Sequence, residues 1–321
     1  MDVIDVQPVP LTRWLQAVEP EYFSEYLPAG GAAVKFLVGD ETAIVHAIDA
    51  TPVLAQRHNM LFLHVSAGAA RLHMLQDVFF ALARALPWDD LLQRYAEGLF
   101  NRNGYAWPRP GTALTMPELA SAFGTAVPLL ERQRDQWLAR DLWADATLAQ
   151  DFRSAMLSLV LARLEPTGEG EADSLPVLQW LQGEKVGLTP LRRHGISARI
   201  ARTNARAMLV SLCHFVRKAG MGGLLLTLDL RAALRAAAAG EETVRYSPAA
   251  VMDLYEVLRE IVDDTEHLPG LFLLVLADRA LMAGDRRRTL DMYKALEMRI
   301  WPDVRPGDRQ NPLAPLVTVS G

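Results

Sequence analysis

Short apolar runs alternate with amphipathic stretches near the beginning of the chain. Residues 34–38 and 60–65 are apolar runs of strand length, and residues 42–56 between them have a helical pattern. Residues 69–86 follow with apolar side chains at helical spacing. The order strand, helix, strand, helix is typical of a βαβ unit and predicts a parallel sheet.

The pattern changes in the middle of the chain and then returns. Residues 87–194 contain helical runs joined by polar loops and no convincing strand, so they predict an all-α insertion. Residues 197–219 predict one long helix, and the continuous apolar runs 224–228 and 271–277 predict strands buried on both faces. We therefore expect an α/β fold with a parallel sheet flanked by helices. The predicted division is a helical segment at 1–30, a core formed by 31–86 and 195–321, and an insertion at 87–194.

Composition excludes several classes of protein. The chain has 321 residues and a formal net charge of −5 at pH 7, which excludes a generally basic nucleic-acid coat. Cys213 is the single cysteine, so we expect no internal disulfide and no cysteine-rich zinc site. The longest apolar run, residues 270–277, is shorter than the roughly 20 residues that a membrane span needs. Residues 1–10 have no basic segment, so we expect no signal peptide, no membrane contact and a cytoplasmic location.

The turn after the first predicted strand is the place for a phosphate-binding loop. A G-x-x-x-x-G-K-[ST] loop holds phosphates and Mg²⁺ with backbone amides, a lysine and a hydroxyl. Only Gly39 fits, because Ile44, Val45 and His46 stand at the second glycine, the lysine and the hydroxyl positions. A phosphate would be held weakly here, and ATP or ADP with Mg²⁺ is a candidate cofactor rather than an assigned one. The candidate residues of this degenerate loop are Gly39, Asp40, Thr42 and His46.

A second candidate is the acid that ends the apolar run 224–228. Asp229 has the position of the acid that orients Mg²⁺ in nucleotide hydrolases, and it is the one candidate for a catalytic or metal-binding role. A second acid often follows to activate water, but this chain has Leu230 there. Many strands end in an Asp that caps the next helix, so this pattern leaves both interpretations open.

Five blocks of sequence occur in an order that matches one known family. The blocks are residues 31–40, 204–209, 223–229, 266–278 and 293–300, within a span of roughly residues 30–316. In these blocks the chain resembles the ATP-binding protein family of bacterial BREX-type phage-defence systems. The resemblance implies an AAA-like P-loop fold, with the first block as the first strand and the entry to the Walker A loop.

The chain departs from that family at the residues that perform the chemistry. Members have a Gly-Lys-Thr core where this chain has Ile-Val-His at 44–46, and a Walker B glutamate where it has Leu230. The family's polar sensor position would fall near residues 277–278. Members also continue into a helical lid and a DNA-binding-like region, whereas this sequence stops at residue 321. The resemblance therefore implies a degenerate, C-terminally shortened member.

Arginines are concentrated in the long helix predicted at residues 197–219. Arg199, Arg202 and Arg206 would share one face of that helix. They could contact phosphates of nucleic acid or of a partner's nucleotide. The alternative is a solvated helix face that pairs with local acids.

The sequence supports one leading hypothesis of function and two alternatives. The leading hypothesis is a non-hydrolysing AAA-like ATPase relative that acts as a subunit or regulator of an anti-phage defence assembly, because the groups needed for phosphoryl transfer are missing. The first alternative is an active ATP-dependent motor in a ring, with Arg193 or Arg299 acting on a neighbouring subunit. The second is a DNA-binding module. The expected partners are other subunits of the assembly, with DNA and further copies of the chain as additional options.

Overall fold

The computed structural model describes residues 7–165, 168–235, 244–301 and 310–321, without the side chains of residues 168–172. The chain forms two compact units. Unit one contains Met1–Leu82 and Gly222–Gly321, and unit two contains Ala83–Met221. The finer division into a helical segment, a two-part core and an insertion stays a prediction.

Unit one is built on a sheet that has six strands in the described part of the chain. The strands are β1 Val9–Pro10, β2 Ala33–Gly39, β3 Met60–Ser66, β4 Gly223–Asp229, β5 Leu271–Ala277 and β6 Leu316–Ser320. Their order is β1-β6-β2-β5-β4-β3, and all neighbouring pairs are parallel. The predicted α/β class with a parallel sheet is confirmed, and the fold is consistent with a P-loop-like ATPase domain.

The helices flank this sheet and also build unit two. In chain order they are α1 Leu11–Val18, α2 Glu41–Arg57, α3 Leu75–Ala85, α4 Trp88–Arg102, α5 Met116–Phe123, α6 Val127–Leu138, α7 Gln150–Leu164, α8 Gly168–Leu181, α9 Leu188–Arg193, α10 Ala205–Lys218, α11 Arg231–Leu234, α12 Pro248–Asp263, α13 Ala280–Ala283 and α14 Lys294–Ile300. Short π-helical segments follow α1 and α6 at Glu19–Tyr26 and Ala139–Trp143. Short 3₁₀ turns occupy Thr265–His267 and Leu290–Met292.

The core of unit one fixes the position of α2 against the sheet. Every residue of β4 and β5 is buried, which explains why both strands are almost continuously apolar. Trp14 of α1 and the α2 residues Ile44 and Leu54 share one buried cluster with Leu225 and Phe272 of the sheet. Because this packing holds α2 along its length, it also fixes the junction between β2 and α2.

The regular secondary structure in the described residues of unit two is helical, and loops and turns join the helices. Its interior contains an aromatic cluster in which the Phe100 ring meets the Trp107 and Trp137 rings edge to face, with centroids 5.4 Å apart in both pairs. The buried Tyr95 hydroxyl donates a hydrogen bond of 2.6 Å to Asp141. These contacts tie α4 to α6 and to the π-helical segment that follows it.

The prediction of one long helix over residues 197–219 is wrong for its first eight residues. α10 begins at Ala205, and the preceding residues form bends and turns. The buried Asp151 carboxylate accepts hydrogen bonds from the backbone amides of Ser197 and Ala198 at 3.0 and 3.1 Å. Side chains that bind backbone amides in this way compete with helix formation, so the helix starts later.

The same effect shortens the helix predicted at residues 69–86, which begins at Leu75. Tyr246 holds the preceding turn, because its hydroxyl accepts a hydrogen bond from the Leu72 amide at 2.7 Å and donates one to the Ala70 carbonyl at 2.6 Å. A tyrosine that lies more than 170 residues away cannot be found from the local pattern of the helix.

Candidate functional site

The carboxyl ends of β2, β5 and β4 lie side by side at one edge of the sheet. Val38 is paired with Ala277, and Leu276 with Asp229. Asp278 follows the end of β5 directly. The predicted Walker A, sensor and Walker B positions therefore meet at this edge, which is where parallel α/β sheets bind ligands.

β2 passes into α2 through a single residue, Asp40. Asp40 is the N-cap of α2, and its Oδ1 accepts a hydrogen bond of 2.8 Å from the Ala43 amide. A carboxylate thus occupies an amide that would be available to a phosphate at a helix N-terminus. A Cβ atom on Gly39 would lie only 3.0 Å from the Ala43 Cβ, so a glycine suits this close approach. The segment is a strand, a cap and a helix with no loop between them.

α2 also contains the other predicted phosphate-loop residues. Thr42, Val45 and His46 are exposed on the helix, whereas Ile44 is fully buried in the core. Val45 stands at the lysine position and is 40% exposed. Because helical backbone amides point along the helix axis, these residues do not form the concave ring of amides that holds a phosphate.

Asp229 is held by an arginine two residues further along the chain. The Arg231 guanidinium donates hydrogen bonds to Asp229 Oδ2 at 2.7 Å and to Oδ1 at 3.0 Å. The Arg231 amide donates a further bond to Oδ1 at 3.0 Å. The Arg231 side chain is 15% exposed and that of Asp229 is 8% exposed. The hydrogen bonds to Asp229 are the main reason that the pKa of Arg231 is raised. Both carboxylate oxygens of Asp229, the predicted Walker B acid, therefore accept hydrogen bonds from the chain itself.

The Asp229–Arg231 pair belongs to a larger set of charges. Glu41 Oε1 accepts a hydrogen bond of 2.6 Å from Arg231 Nη1, and Glu41 Oε2 lies 3.6 Å from Arg235 Nη2. Arg235 in turn donates to Asp278 at 2.5 and 2.9 Å, which raises the pKa of Arg235. We call Glu41, Asp229, Arg231, Arg235 and Asp278 the edge network. Its three carboxylates exceed its two guanidiniums by one formal charge.

Sequence reasoning found only part of the edge network. It singled out Asp229 and the sensor region near Asp278, but it missed Arg231, Arg235 and Glu41. The available signal was the pair of arginines two and six residues after Asp229. That signal is weak without the fold, because Glu41 is 190 residues from Arg231 in the chain and only the sheet order brings them together.

The sheet order and this edge define an α/β protein with a parallel sheet, a fold consistent with a P-loop-like ATPase domain. A family model described as "BREX system ATP-binding protein BrxC/D" matches residues 131–321, which is more than half of the chain. The chain therefore belongs to this family of BREX ATP-binding proteins. No curated protein and no solved structure gives a significant match.

The residues at the edge do not fit Mg²⁺-ATP bound in the Walker manner. At the positions predicted for the Walker A loop, the capped start of α2 offers no cradle of amides and Val45 offers no ammonium. The Asp229 carboxylate already accepts three hydrogen bonds from Arg231 donors within 3.0 Å. Within the described residues, no group of three His, Cys, Asp or Glu side chains is placed to hold a metal ion.

The remaining predicted residues lie elsewhere. Arg199 and Arg202 are exposed in the segment before α10, and Arg206 is exposed in its first turn, so the three do not form one helical face. Arg193 is exposed at the end of α9. Arg299 is bound to Asp263, with Nη2 2.9 Å from Oδ2.

Unit one also contains a cavity away from the predicted site residues. A cavity of about 470 Å³ in unit one is lined by Met282, Ala283, Gly284, Arg286, Thr289, Leu290, Asp291, Met292, Glu297 and Trp301. None of the predicted site residues lines it.

None of the helices in the described ranges is long and apolar enough to cross a membrane.

Proposed function

We propose that this chain is a non-hydrolysing member of its family that works as a subunit or regulator of a phage-defence assembly. The observation that carries the proposal is the edge network. Arg231 and Arg235 bind the Asp229 and Asp278 carboxylates at the positions where a nucleotide hydrolase holds Mg²⁺ and its sensor group. Phosphoryl transfer also needs preorganised positive charge on the phosphates, and Val45 supplies none.

The role proposed here depends on contacts with other subunits of the assembly and not on turnover. The fold of unit one is retained because β2, β4 and β5 form the core that supports α2. We expect ATP and ADP to bind weakly or not at all. Under this proposal the chain recognises its partner subunits through its surface, whether or not a nucleotide is bound at the edge of the sheet.

A hydrolysis assay with Mg²⁺-ATP tests the loss of activity. Phosphate release from the purified chain is expected to stay at background, and Asp229→Asn, which keeps the shape of the side chain, is expected to give the same trace. Turnover that the wild type shows and that Asp229→Asn abolishes would overturn the proposal.

A plaque assay tests the role in defence. Cells that have lost this gene from the defence system are complemented with the wild type, with Asp229→Asn, or with Leu274→Asp, which places a charge at a fully buried position of β5. Protection is expected from the first two and not from the third. Loss of protection with Asp229→Asn, at normal protein level, would show that the acid has a chemical role.

The alternative is a motor in which a neighbouring copy supplies the missing positive charge. Of the two candidate arginines, Arg193 suits this role better, because it is exposed whereas Arg299 is bound to Asp263. A motor of this kind predicts oligomers that form only with nucleotide. Size-exclusion chromatography with and without Mg²⁺-ATP separates the two, since the proposed non-hydrolysing subunit elutes identically in both runs.

A further inference from the structure

Unit two contains a stretch of chain with basic residues and no acidic ones. Residues 185–218 include eight arginines and lysines and no aspartate or glutamate, in a chain whose net charge is −5. Lys218 at one end is bound to Asp145 at 2.9 Å and serves the interior of unit two. Five of the other basic residues lie within residues 192–206, from the end of α9 to the first turn of α10, so the asymmetry of charge is local.

Four arginines of this stretch are both exposed and unpaired. Arg192, Arg193, Arg199 and Arg202 are exposed, and none of them has an ion pair with another of the described residues. By contrast, most of the described arginines of unit one have an ion pair with an acidic side chain, as in the edge network. We call residues 192–206 the arginine loop. The guanidiniums of the four unpaired arginines in it are available to a ligand of opposite charge.

The arginine loop is anchored on both sides of its exposed part. On one side, the buried Asp151 binds the amides of Ser197 and Ala198, and Trp180 Nε1 donates to the Ala198 carbonyl at 3.0 Å. On the other side, the Asn204 side chain accepts from the Ala201 amide at 2.7 Å and donates to the Arg199 carbonyl at 3.1 Å. Arg199 and Arg202 therefore project from a backbone that is fixed before binding, which reduces the entropy lost on binding.

The surroundings of these arginines favour a polyphosphate over a protein. Protein interfaces are centred on exposed aromatic and large apolar anchors. The large apolar side chains that are exposed in the described ranges all lie outside residues 192–206. Guanidiniums without such anchors match a repeating phosphate backbone, which they bind through paired N–H donors.

We propose that the arginine loop binds the phosphodiester backbone of duplex nucleic acid, without reading its sequence. The proposal concerns unit two and is independent of whether the edge of the sheet hydrolyses ATP. Binding of this kind depends on release of counterions from the phosphates, so it weakens steeply as salt is added. It would place the defence assembly on nucleic acid through this subunit.

Fluorescence anisotropy with a labelled DNA duplex of mixed sequence tests the proposal on the full chain across a KCl series. The variant is Arg199→Glu with Arg202→Glu, and the control is Arg13→Glu with Arg132→Glu. Both control positions are exposed arginines outside the arginine loop, without an ion pair among the described residues. Each double variant changes the net charge equally, so only the position differs. Arg192→Gln with Arg193→Gln is a milder variant within the arginine loop, and circular dichroism verifies the fold of each protein.

We expect the loop variant to bind the duplex at least tenfold more weakly than the wild type at low salt, and the control within about twofold of it. The slope of log K against log salt is expected to become shallower by about 1 to 2 in the loop variant, because each phosphate contact contributes about 0.9. Equal losses in both double variants, or no binding by the wild type at low salt, would overturn the proposal. Binding to polyglutamate but not to the duplex would also overturn it, in favour of an acidic protein partner.

Discussion

At the scale of single residues, Arg231 stabilises the edge network most directly, because its guanidinium donates hydrogen bonds to the largely buried carboxylate of Asp229. Replacing it by alanine would leave that carboxylate with the residue-231 amide as its remaining bond within the edge network. We expect Arg231→Ala to lower the free energy of unfolding by about 1–3 kcal/mol, the usual cost of a buried polar group that loses a partner. Urea denaturation at pH 7 measures this.

Arg235→Ala is the matched control for that substitution. Arg235 is 57% exposed and its bond to Asp278 is open to solvent, so its loss should cost less than about 1 kcal/mol. If Arg235→Ala cost as much as Arg231→Ala, the buried Asp229–Arg231 pair would contribute no more to stability than the more exposed Arg235–Asp278 pair.

Lys35 gives a prediction about pH. It is 5% exposed on β2, and its ammonium donates a hydrogen bond of 2.5 Å to the Leu313 carbonyl. It also lies 4.6 Å from the centre of the Tyr22 ring. Burial lowers the pKa of Lys35 from 10.5 to about 8, and the nearby charge of Glu21 opposes this shift. The folded state therefore releases this proton more easily than the unfolded state does.

The sign follows from proton linkage. Between pH 8 and 10.5 the unfolded chain binds more protons at Lys35, so the penalty for burying this ammonium is complete below pH 8 and falls as pH rises. We expect the stability of Lys35→Met relative to the wild type to decrease by about 2 kcal/mol from pH 7 to pH 9.5. Denaturation of both proteins at each pH gives this difference, and a constant difference would contradict the lowered pKa.

At the scale of elements, the start of α2 depends on the Asp40 cap. Asp40→Ala removes the acceptor of the Ala43 amide, and we expect a loss of about 1 kcal/mol in the free energy of unfolding. Asn caps helices about as well as Asp, so Asp40→Asn should retain most of that stability. Thermal denaturation of the three proteins compares them. Equal stability of Asp40→Ala and the wild type would show that the cap is not needed.

The same junction predicts that a restored lysine would not restore nucleotide binding. Val45 is exposed, so Val45→Lys should fold normally. The new ammonium would extend from a helix that follows the strand after one residue, with no ring of amides beside it. We expect no saturable binding of Mg²⁺-ATP by fluorescence titration with a labelled analogue. Tight binding by Val45→Lys would show that the missing lysine, and not the missing loop, is the defect.

The elements that the sequence predicts well are those with a strong local signal. The run 271–277 is a buried strand over its whole predicted length, because continuous apolar residues of strand length suit a sheet covered on both faces. β1 has only two residues and no pattern of its own, so the sequence does not predict it. The pattern at 197–219 predicts a helix that is too long, because it does not show that the distant Asp151 binds the amides of Ser197 and Ala198.

At the scale of the whole molecule, the sheet order assembles a site that local patterns show only in part. The sequence predicts that positions 44–46 and 230 lack the residues that a nucleotide hydrolase uses. It does not indicate what takes the place of their charges, because the Arg231–Glu41 contact joins residues 190 apart. Membership of the BREX ATP-binding family follows from the match over residues 131–321, and the edge network supports the proposal that this member does not hydrolyse ATP.

Isothermal titration calorimetry of the full chain with Mg²⁺-ATP tests that claim most directly. If the edge network occupies the place of the nucleotide's metal and phosphates, we expect no saturable heat of binding at ATP concentrations up to about 1 mM. The dissociation constant would then be weaker than about 1 mM. Asp229→Asn should give the same flat titration. A saturable one-to-one isotherm in the wild type, weakened by Asp229→Asn, would contradict the account.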